Sequence, residues 1–256
     1  MDPRAAEAPY YDLNPGFPPD EDFYIARLPT EPGDVLELGC GTGRLSLSLA
    51  RPSRYYEGVD LSPAMASLAR EKLREAGFGP DRARITIGDM TRLQLDRQFD
   101  LILGPFRVLQ NLATEAELHG LFSGLRGHLA TDGRIVVNAF NPNRAPAAML
   151  ETWSSSEESL EWVVPVEGGR VARSFRRARV QPDPLVLYPD IVYRRFAGDL
   201  VVEESVLSLA MRCWYPEELL ARIAAEGFRV TQTWGGFAGE PYGVGPELLV
   251  EFCRAA

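Results

Sequence analysis

The chain has 256 residues, 45% of them hydrophobic and 25% charged, which suits one large folded domain, or one with an insertion, and not a disordered segment. A net charge of −9 argues against a nucleic-acid partner, since such binding rests on Lys and Arg neutralising phosphates; SFRRARV around Arg176 is the one basic stretch. Three scattered cysteines, two histidines and no apolar run of membrane-spanning length oppose disulfides, a metal site and membrane insertion, and point to a reduced, cytoplasmic setting.

Residues 1–20, rich in Pro, Ala and acids, read as a mobile arm, and DEDFYIARL (20–28) as a short helix. A regular alternation follows. GDVLELG is a strand and RLSLSLA a helix; RYYEGVD is a strand and PAMASLAREKLREAG a helix ended by Gly77. ARITIGD and FDLILGPF are strands, TEAELHGLFSGLRGHLA a helix, and GRIVVNAF a strand. Strands alternating with helices predict a parallel sheet covered on both faces. After Phe140 the pattern changes. NPNRAPAAM is a breaker-rich connection, and WVVPV, RVARSFRRARV, LVLYPDIVYRRF and DLVVEESVLSLAM alternate with period two, as antiparallel strands do. The last pair turns around Ala197–Gly198–Asp199. PEELLARIAAEG restores a helix between Pro216 and Gly227, and FRVTQTWG and PELLVEFCR end the chain as strands.

The first strand runs into VLELGCGTGR, whose glycines are Gly39, Gly41 and Gly43. A dinucleotide fingerprint would place its third glycine where this chain has Arg44. A pyrophosphate needs the helix N-terminus; a cofactor without phosphate needs a loop wrapped closely around a neutral sugar and an amino-acid tail, with an acid inside the motif, here Glu37. Asp60 ends the next strand, where a carboxylate accepts both ribose hydroxyls and repels a 2′-phosphate. Asp89 ends the third, placed to accept from an adenine amine while the Met90 N–H donates to a ring nitrogen. Three strand ends thus offer matched contacts to an adenosine that carries no phosphate.

VLELGCGTGR, GVDLSPAM, GDM, FDLIL and HLATDGRIVVNAF resemble, in order and spacing, the class I S-adenosylmethionine-dependent methyltransferases, over residues 33–140 and more loosely 215–254. The resemblance implies an α/β fold: a Rossmann-like, doubly wound sheet of seven mostly parallel strands, with PELLVEFCR as the antiparallel last strand. It implies an N-terminal arm and helix (1–30), a cofactor-binding core (31–141 and 214–256) and a β-rich insertion (142–213) acting as lid or dimer surface. It places Gly39, Gly41 and Gly43 along the methionine part of the cofactor, Asp60 on the ribose, Asp89 and Met90 at the adenine, and Gly104, Pro105 and Phe106 near the transferred methyl. Glu37, Cys40, Leu61, Met65 and Gly88 belong to the same motifs.

Within the superfamily the details resemble a bacterial small-molecule branch: Tyr11–Asp12 followed by Phe23 and Tyr24, the β insertion, and the return WYPEELL (214–220). Tyr11 and Tyr24 either contact the cofactor or staple the arm to the domain. Where this branch often reads PFNSFxHL, the chain has PFRVLQNL, with Arg107 at the Asn position and Asn111 at the His position. That departure removes the natural base, and His119 and His128 fall on the following helix as surface or packing residues. Arg107 makes a local ion pair or binds a substrate anion; Trp214 and Trp234 pack or wall the substrate. Together with Asn111 and Tyr242 these are the substrate-side candidates. Cys40 reads as a small apolar filler.

Methyl transfer from a sulfonium is an in-line displacement on an activated electrophile, so alignment and exclusion of water suffice, and no triad or metal is needed. No catalytic base is identified; Tyr11, Tyr242 and Glu240 are the entries considered. The sequence therefore reads as an enzyme that uses S-adenosyl-L-methionine, releases S-adenosyl-L-homocysteine and methylates an O or N atom of a small molecule, as a monomer or homodimer. The alternatives are an RNA or protein methyltransferase, disfavoured because Gly104–Pro105–Phe106–Arg107 lacks a [DN]PP[YF] motif, a nicotinamide oxidoreductase, disfavoured by the glycine spacing, and a cofactor-binding protein without transferase activity.

Overall fold

The structure, a computed structural model, describes residues 2, 4–153 and 157–255. Helices α1 (Ala8–Tyr11) and α2 (Glu21–Ile25) come first. Then follow β1 (Asp34–Leu38), α3 (Ser46–Ala50), β2 (Tyr55–Asp60), α4 (Pro63–Glu75), β3 (Ala83–Ile87), β4 (Phe99–Gly104), α5 (Glu115–His128) and β5 (Leu129–Phe140). Next come α6 (Pro146–Thr152), β6 (Glu158–Val166), β7 (Gly169–Pro182), β8 (Leu185–Ala197), β9 (Leu200–Ser208) and β10 (Met211–Arg212). Helix α7 (Pro216–Ala225), β11 (Phe228–Trp234) and β12 (Glu247–Arg254) complete the chain.

The main sheet has the order β11–β12–β5–β4–β1–β2–β3. β1 pairs in parallel with β2 and β4, while β12 runs antiparallel to both β5 and β11. The chain winds from β1 outward through β2 and β3, then returns to β4 on the other side. This reversal opens a crevice beyond the carboxyl ends of β1 and β4. Every residue of β1 and β2 is buried, as central parallel strands require, whereas edge strand β3 alternates. Leu118, Phe122, Leu125, Leu219 and Ile223 from α5 and α7 pack one face; Tyr24, Leu49, Ala66 and Ala69 from α2, α3 and α4 pack the other.

Local chemistry sets the helix boundaries. Ser62 caps α4 by accepting the Met65 N–H, Pro63 opens the helix, and Lys72 and Arg74 stand in its last turn. Thr114 and Glu117 form a capping box on α5.

In the second sheet β6, β7 and β8 are antiparallel neighbours, and β9 and β10 share one edge of β8. The stretch read as one strand, DLVVEESVLSLAM, is broken at Leu209–Ala210 into β9 and β10. Two other boundaries differ from expectation. Pro146 nucleates α6 inside the breaker-rich connection, and β5 begins at Leu129, because Leu129 takes extended angles directly after α5 and is buried against the core.

The N-terminal segment is not a free arm. Asp2 accepts from Ser62 Oγ (3.0 Å) and the Ala64 N–H (2.9 Å), and Asp12 accepts from Thr42 Oγ1 (2.5 Å) and pairs with Lys72 (2.7 Å). Fully buried Asp20 holds Arg44 through two bonds of 2.6 and 2.8 Å. Tyr10 stacks on Tyr193 of β8 and donates to Glu203. The acids that suggested mobility are the anchors of the segment. Among the described residues no helix is long and apolar enough to cross a membrane.

Candidate active site

A cavity of about 940 Å³ lies at the strand reversal, between the carboxyl ends of the central strands and one face of the second sheet. Its floor is the turn after β1, where the Gly39 and Cys40 N–H groups both donate to the Val59 carbonyl (2.7 and 3.1 Å). Gly39 has φ +64°, and a Cβ there would sit 2.5 Å from Val108 Cγ2. Gly41 (φ +56°) lines the cavity, and a Cβ on it would meet only the Tyr11 ring, at 3.9 Å. Bare backbone therefore borders open space at Gly41, which a closely wrapped ligand needs.

Asp60, at the end of β2, is almost fully buried and also lines the cavity. Its Oδ2 accepts the Gly41 N–H and its Oδ1 the Ser62 N–H, both at 2.8 Å. A carboxylate offers about four acceptor sites, so two are left for a diol. Asp89 folds its Oδ1 onto the Thr91 N–H and hydroxyl (2.8 and 2.7 Å), which orients the carboxylate at the cavity wall beside Met90. This donor set fits an adenosine-type cofactor: two carboxylates at successive strand ends and a side-chain-free turn. After β4, Phe106 and Arg107 both adopt left-handed angles (φ 48° and 64°), which is costly for residues other than glycine. Buried Asn138 accepts the Arg107 N–H at 2.9 Å, and Glu247 binds its guanidinium at 2.6 Å, so this turn is held from behind. The Phe106 ring meets Phe17 and Tyr11 edge-on, closing an aromatic wall.

Burial governs the titrating groups near the turn. It pushes the Tyr11 phenol upward, keeping it protonated, and raises the Cys40 thiol well above its usual range, which suits a filler and not a nucleophile. Burial also lifts Glu37 to about 7, against the opposing hydrogen bond from the Tyr56 hydroxyl (2.5 Å). Because the folded-state value lies above the unfolded one near 4.5, the folded protein binds this proton more tightly. The stabilisation is complete below about 4.5 and is lost as pH rises through about 7. Glu37→Gln is thus expected to match the cofactor-free wild type at low pH and to exceed it at pH 8 by on the order of 3 kcal/mol. Thermal melts of both proteins across this range provide the check; a difference that does not change with pH would contradict it.

Of the sequence candidates, Tyr11, Gly39, Gly41, Asp60, Leu61, Met65, Gly88, Asp89, Met90, Pro105 and Phe106 line the cavity, as do Arg107 and Asn111. Others lie elsewhere. Glu37 and Cys40 sit behind the turn, and Gly43 packs against Ala69, where a Cβ would fall 3.0 Å from the backbone. Gly104 faces Val108 and Val137. Tyr24 is wholly enclosed between Phe23 and Phe237, Trp234 packs on Phe23, and Tyr242 donates to the Pro216 carbonyl. Trp214 is fully buried in the main core. Glu240 accepts the Ala238 N–H within its own loop. Neither histidine lines the cavity: His128 accepts the Leu95 N–H, and His119 is exposed beside Glu226.

The sequence alone reads Trp162 as a packing residue and does not single out Arg4 and Glu7 from the N-terminal segment, or Arg173, Phe175, Ile191 and Tyr193 from the second sheet; all of them line the cavity. Register places Trp162 opposite Arg173 and Arg173 opposite Tyr193, with Phe175 opposite Ile191, so these residues share one face. Period-two alternation marks such a face; it does not say what the face covers.

This sheet order, with a glycine turn and two acids at consecutive strand ends around one cavity, is the architecture of the class I S-adenosylmethionine-dependent methyltransferases. Residues 35–133 match the family model described as a methyltransferase domain. A dTDP-3-amino-3,4,6-trideoxy-alpha-D-glucopyranose N,N-dimethyltransferase of Streptomyces venezuelae is 28% identical over 230 residues, 88% of this chain and 86% of that one. A dTDP-3-amino-3,6-dideoxy-alpha-D-glucopyranose N,N-dimethyltransferase of Streptomyces fradiae is 29% identical over 172 residues, 65% of this chain and 62% of that one. The CcbJ methyltransferase of Streptomyces caelestis superposes with a TM-score of 0.77 at 22% identity, covering 97% of this chain and 96% of that one. Against several curated relatives the matched region spans only part of their length, between 24% and 62%.

Proposed function

We propose that the protein is an S-adenosylmethionine-dependent methyltransferase that acts on an O or N atom of a small molecule. The observation that carries this reading is the convergence of Gly39–Gly41, Asp60 and Asp89–Met90 on one cavity roofed by a second sheet. When bound, the cofactor supplies a methyl group already activated by its sulfonium. The chain's own residues do the rest. Asp60 takes the ribose diol, Asp89 and the Met90 N–H take the adenine edge, and the bare backbone at Gly41 admits the methionine part. Tyr11, Phe17 and Phe106 exclude water from the reacting centre and align the acceptor, the main requirement of an in-line transfer.

The enclosed volume is that of a small-molecule site, and the net charge of −9 opposes a polyanionic substrate. The dimethyltransferases and O-methyltransferases among the relatives act on small molecules by name, which supports the same reading. Three free cysteines agree with a reduced, cytoplasmic setting. Calorimetry on cofactor-stripped protein should show one site per chain for S-adenosylmethionine and for S-adenosylhomocysteine. Absence of both would overturn the proposal.

A further inference from the structure

The half of the cavity facing the second sheet carries a carboxylate for which the proposed cofactor site has no use. Glu7 is 4% exposed and lines the cavity. Tyr193 donates its hydroxyl to Oε1 (3.2 Å), and Arg4 donates to Oε2 (2.9 Å). The ion pair is asymmetric: the Glu7 side chain is 5% exposed and that of Arg4 28%, so solvent screens the cation more than the anion. Two of the other charged residues lining the cavity pair with carboxylates, Arg173 with Glu161 and Arg107 with Glu247. Glu7 and Tyr11 are four residues apart on a helical stretch and so share a face, roughly 6 Å apart along its axis. Tyr11 in turn flanks Gly41. A small acceptor group therefore fits between the Glu7 carboxylate and the methyl-donor side of the cavity.

We propose that Glu7 makes this subsite selective for an amine acceptor; the inference rests on the methyltransferase reading above. The sign of the charge decides between nitrogen and oxygen. The amine, bound as its ammonium ion, first releases a proton to water. The neutral amine then attacks the methyl carbon with its lone pair, the new N–C bond forming as the C–S bond breaks and that electron pair staying on sulfur. Positive charge moves onto nitrogen, and the product ammonium then releases a proton to water. A buried carboxylate beside that nitrogen stabilises the charge as it develops. Its lone pairs also accept the amine N–H groups and turn the nitrogen lone pair away, toward the methyl. An oxygen acceptor has to lose its proton and become anionic to attack well, and the same carboxylate opposes that ionisation.

The test needs no knowledge of the natural substrate. Full-length protein saturated with S-adenosylhomocysteine is titrated with 2-phenylethylamine and with 2-phenylethanol. The amine is expected to bind about tenfold or more tightly than the alcohol, the lower end for hydrogen bonds to a charged group. Glu7→Gln should abolish the preference, and Arg4→Met, which removes the competing cation, should increase it, whereas a merely structural Arg4–Glu7 pair would make both variants lose affinity alike. Equal binding of the two probes, a preference that survives in Glu7→Gln, or no binding of either at millimolar concentration would each overturn the assignment. S-adenosylhomocysteine affinity, measured first, separates the two readings: its absence in the wild type defeats the methyltransferase proposal, and its retention beside a failed amine preference defeats only the role of Glu7.

Discussion

An Asp60→Ala variant is expected to bind S-adenosylmethionine about 100-fold more weakly or worse, and to lose roughly 1–3 kcal/mol of stability. Both effects come from one carboxylate. In the ligand-free protein its two oxygens accept the Gly41 and Ser62 N–H groups, tying the glycine turn to the entry of α4. Alanine leaves those donors unpaired in a nearly closed site. In the complex the remaining acceptor sites would take the ribose diol, and two bonds to a charged acceptor at about 1.5–3 kcal/mol each give the affinity loss. Asp60→Asn should fall between, because its amide keeps one acceptor oxygen and turns a donor toward a backbone N–H. Calorimetric titration with S-adenosylhomocysteine, together with thermal melts, tests both parts. Unchanged affinity in Asp60→Ala would remove this residue from the cofactor site and with it the strongest polar element of the proposal.

The contrast between Asp60 and Glu7 shows what was legible in the sequence. Asp60 lies at the end of a buried strand, seventeen residues past a glycine turn, and a parallel sheet brings consecutive strand ends together by its own topology. Local pattern and fold rule suffice for such residues, so the floor of the cavity could be read in advance. Glu7 reaches the cavity because Tyr193 lies 186 residues away in sequence, and Tyr10 meets Glu203 at a separation of 193. No periodicity encodes such pairings. The acidic, proline-rich composition of the first twenty residues suggested mobility because it lacks apolar periodicity, yet Asp2, Asp12 and Asp20 each find a partner on the main domain. Aromatic residues were ambiguous for a related reason. A Tyr or Trp is apolar enough for a core and polar enough for a ligand, so Tyr24, Trp234 and Tyr242 could be located only once neighbouring elements were in place.

Trp214 is the sharpest case, and Trp214→Ala is expected to destabilise the protein by about 3–5 kcal/mol while leaving cofactor affinity of the folded fraction unchanged. The side chain is fully buried, packs in the core formed with α5 and α7, and carries the Arg212 guanidinium 4.2 Å over its ring. Arg212 is itself tied to Glu115 and Glu218, so losing the indole also loosens a charged group that bridges α5 and α7. For a chain of this size the loss corresponds to a fall in Tm of roughly 10 °C. Trp214→Phe should cost far less. It keeps an aromatic face for Arg212 and removes an indole N–H that has no hydrogen-bond partner among the described residues. Melting curves measure the stability change, and titration with S-adenosylhomocysteine at low temperature, where the variant is still folded, measures the affinity. A Trp214→Ala protein that melts like the wild type but no longer accepts an acceptor analogue would return Trp214 to the cavity wall; a lowered Tm with intact cofactor binding leaves it in the core, where it fixes the position of the return from the second sheet into α7.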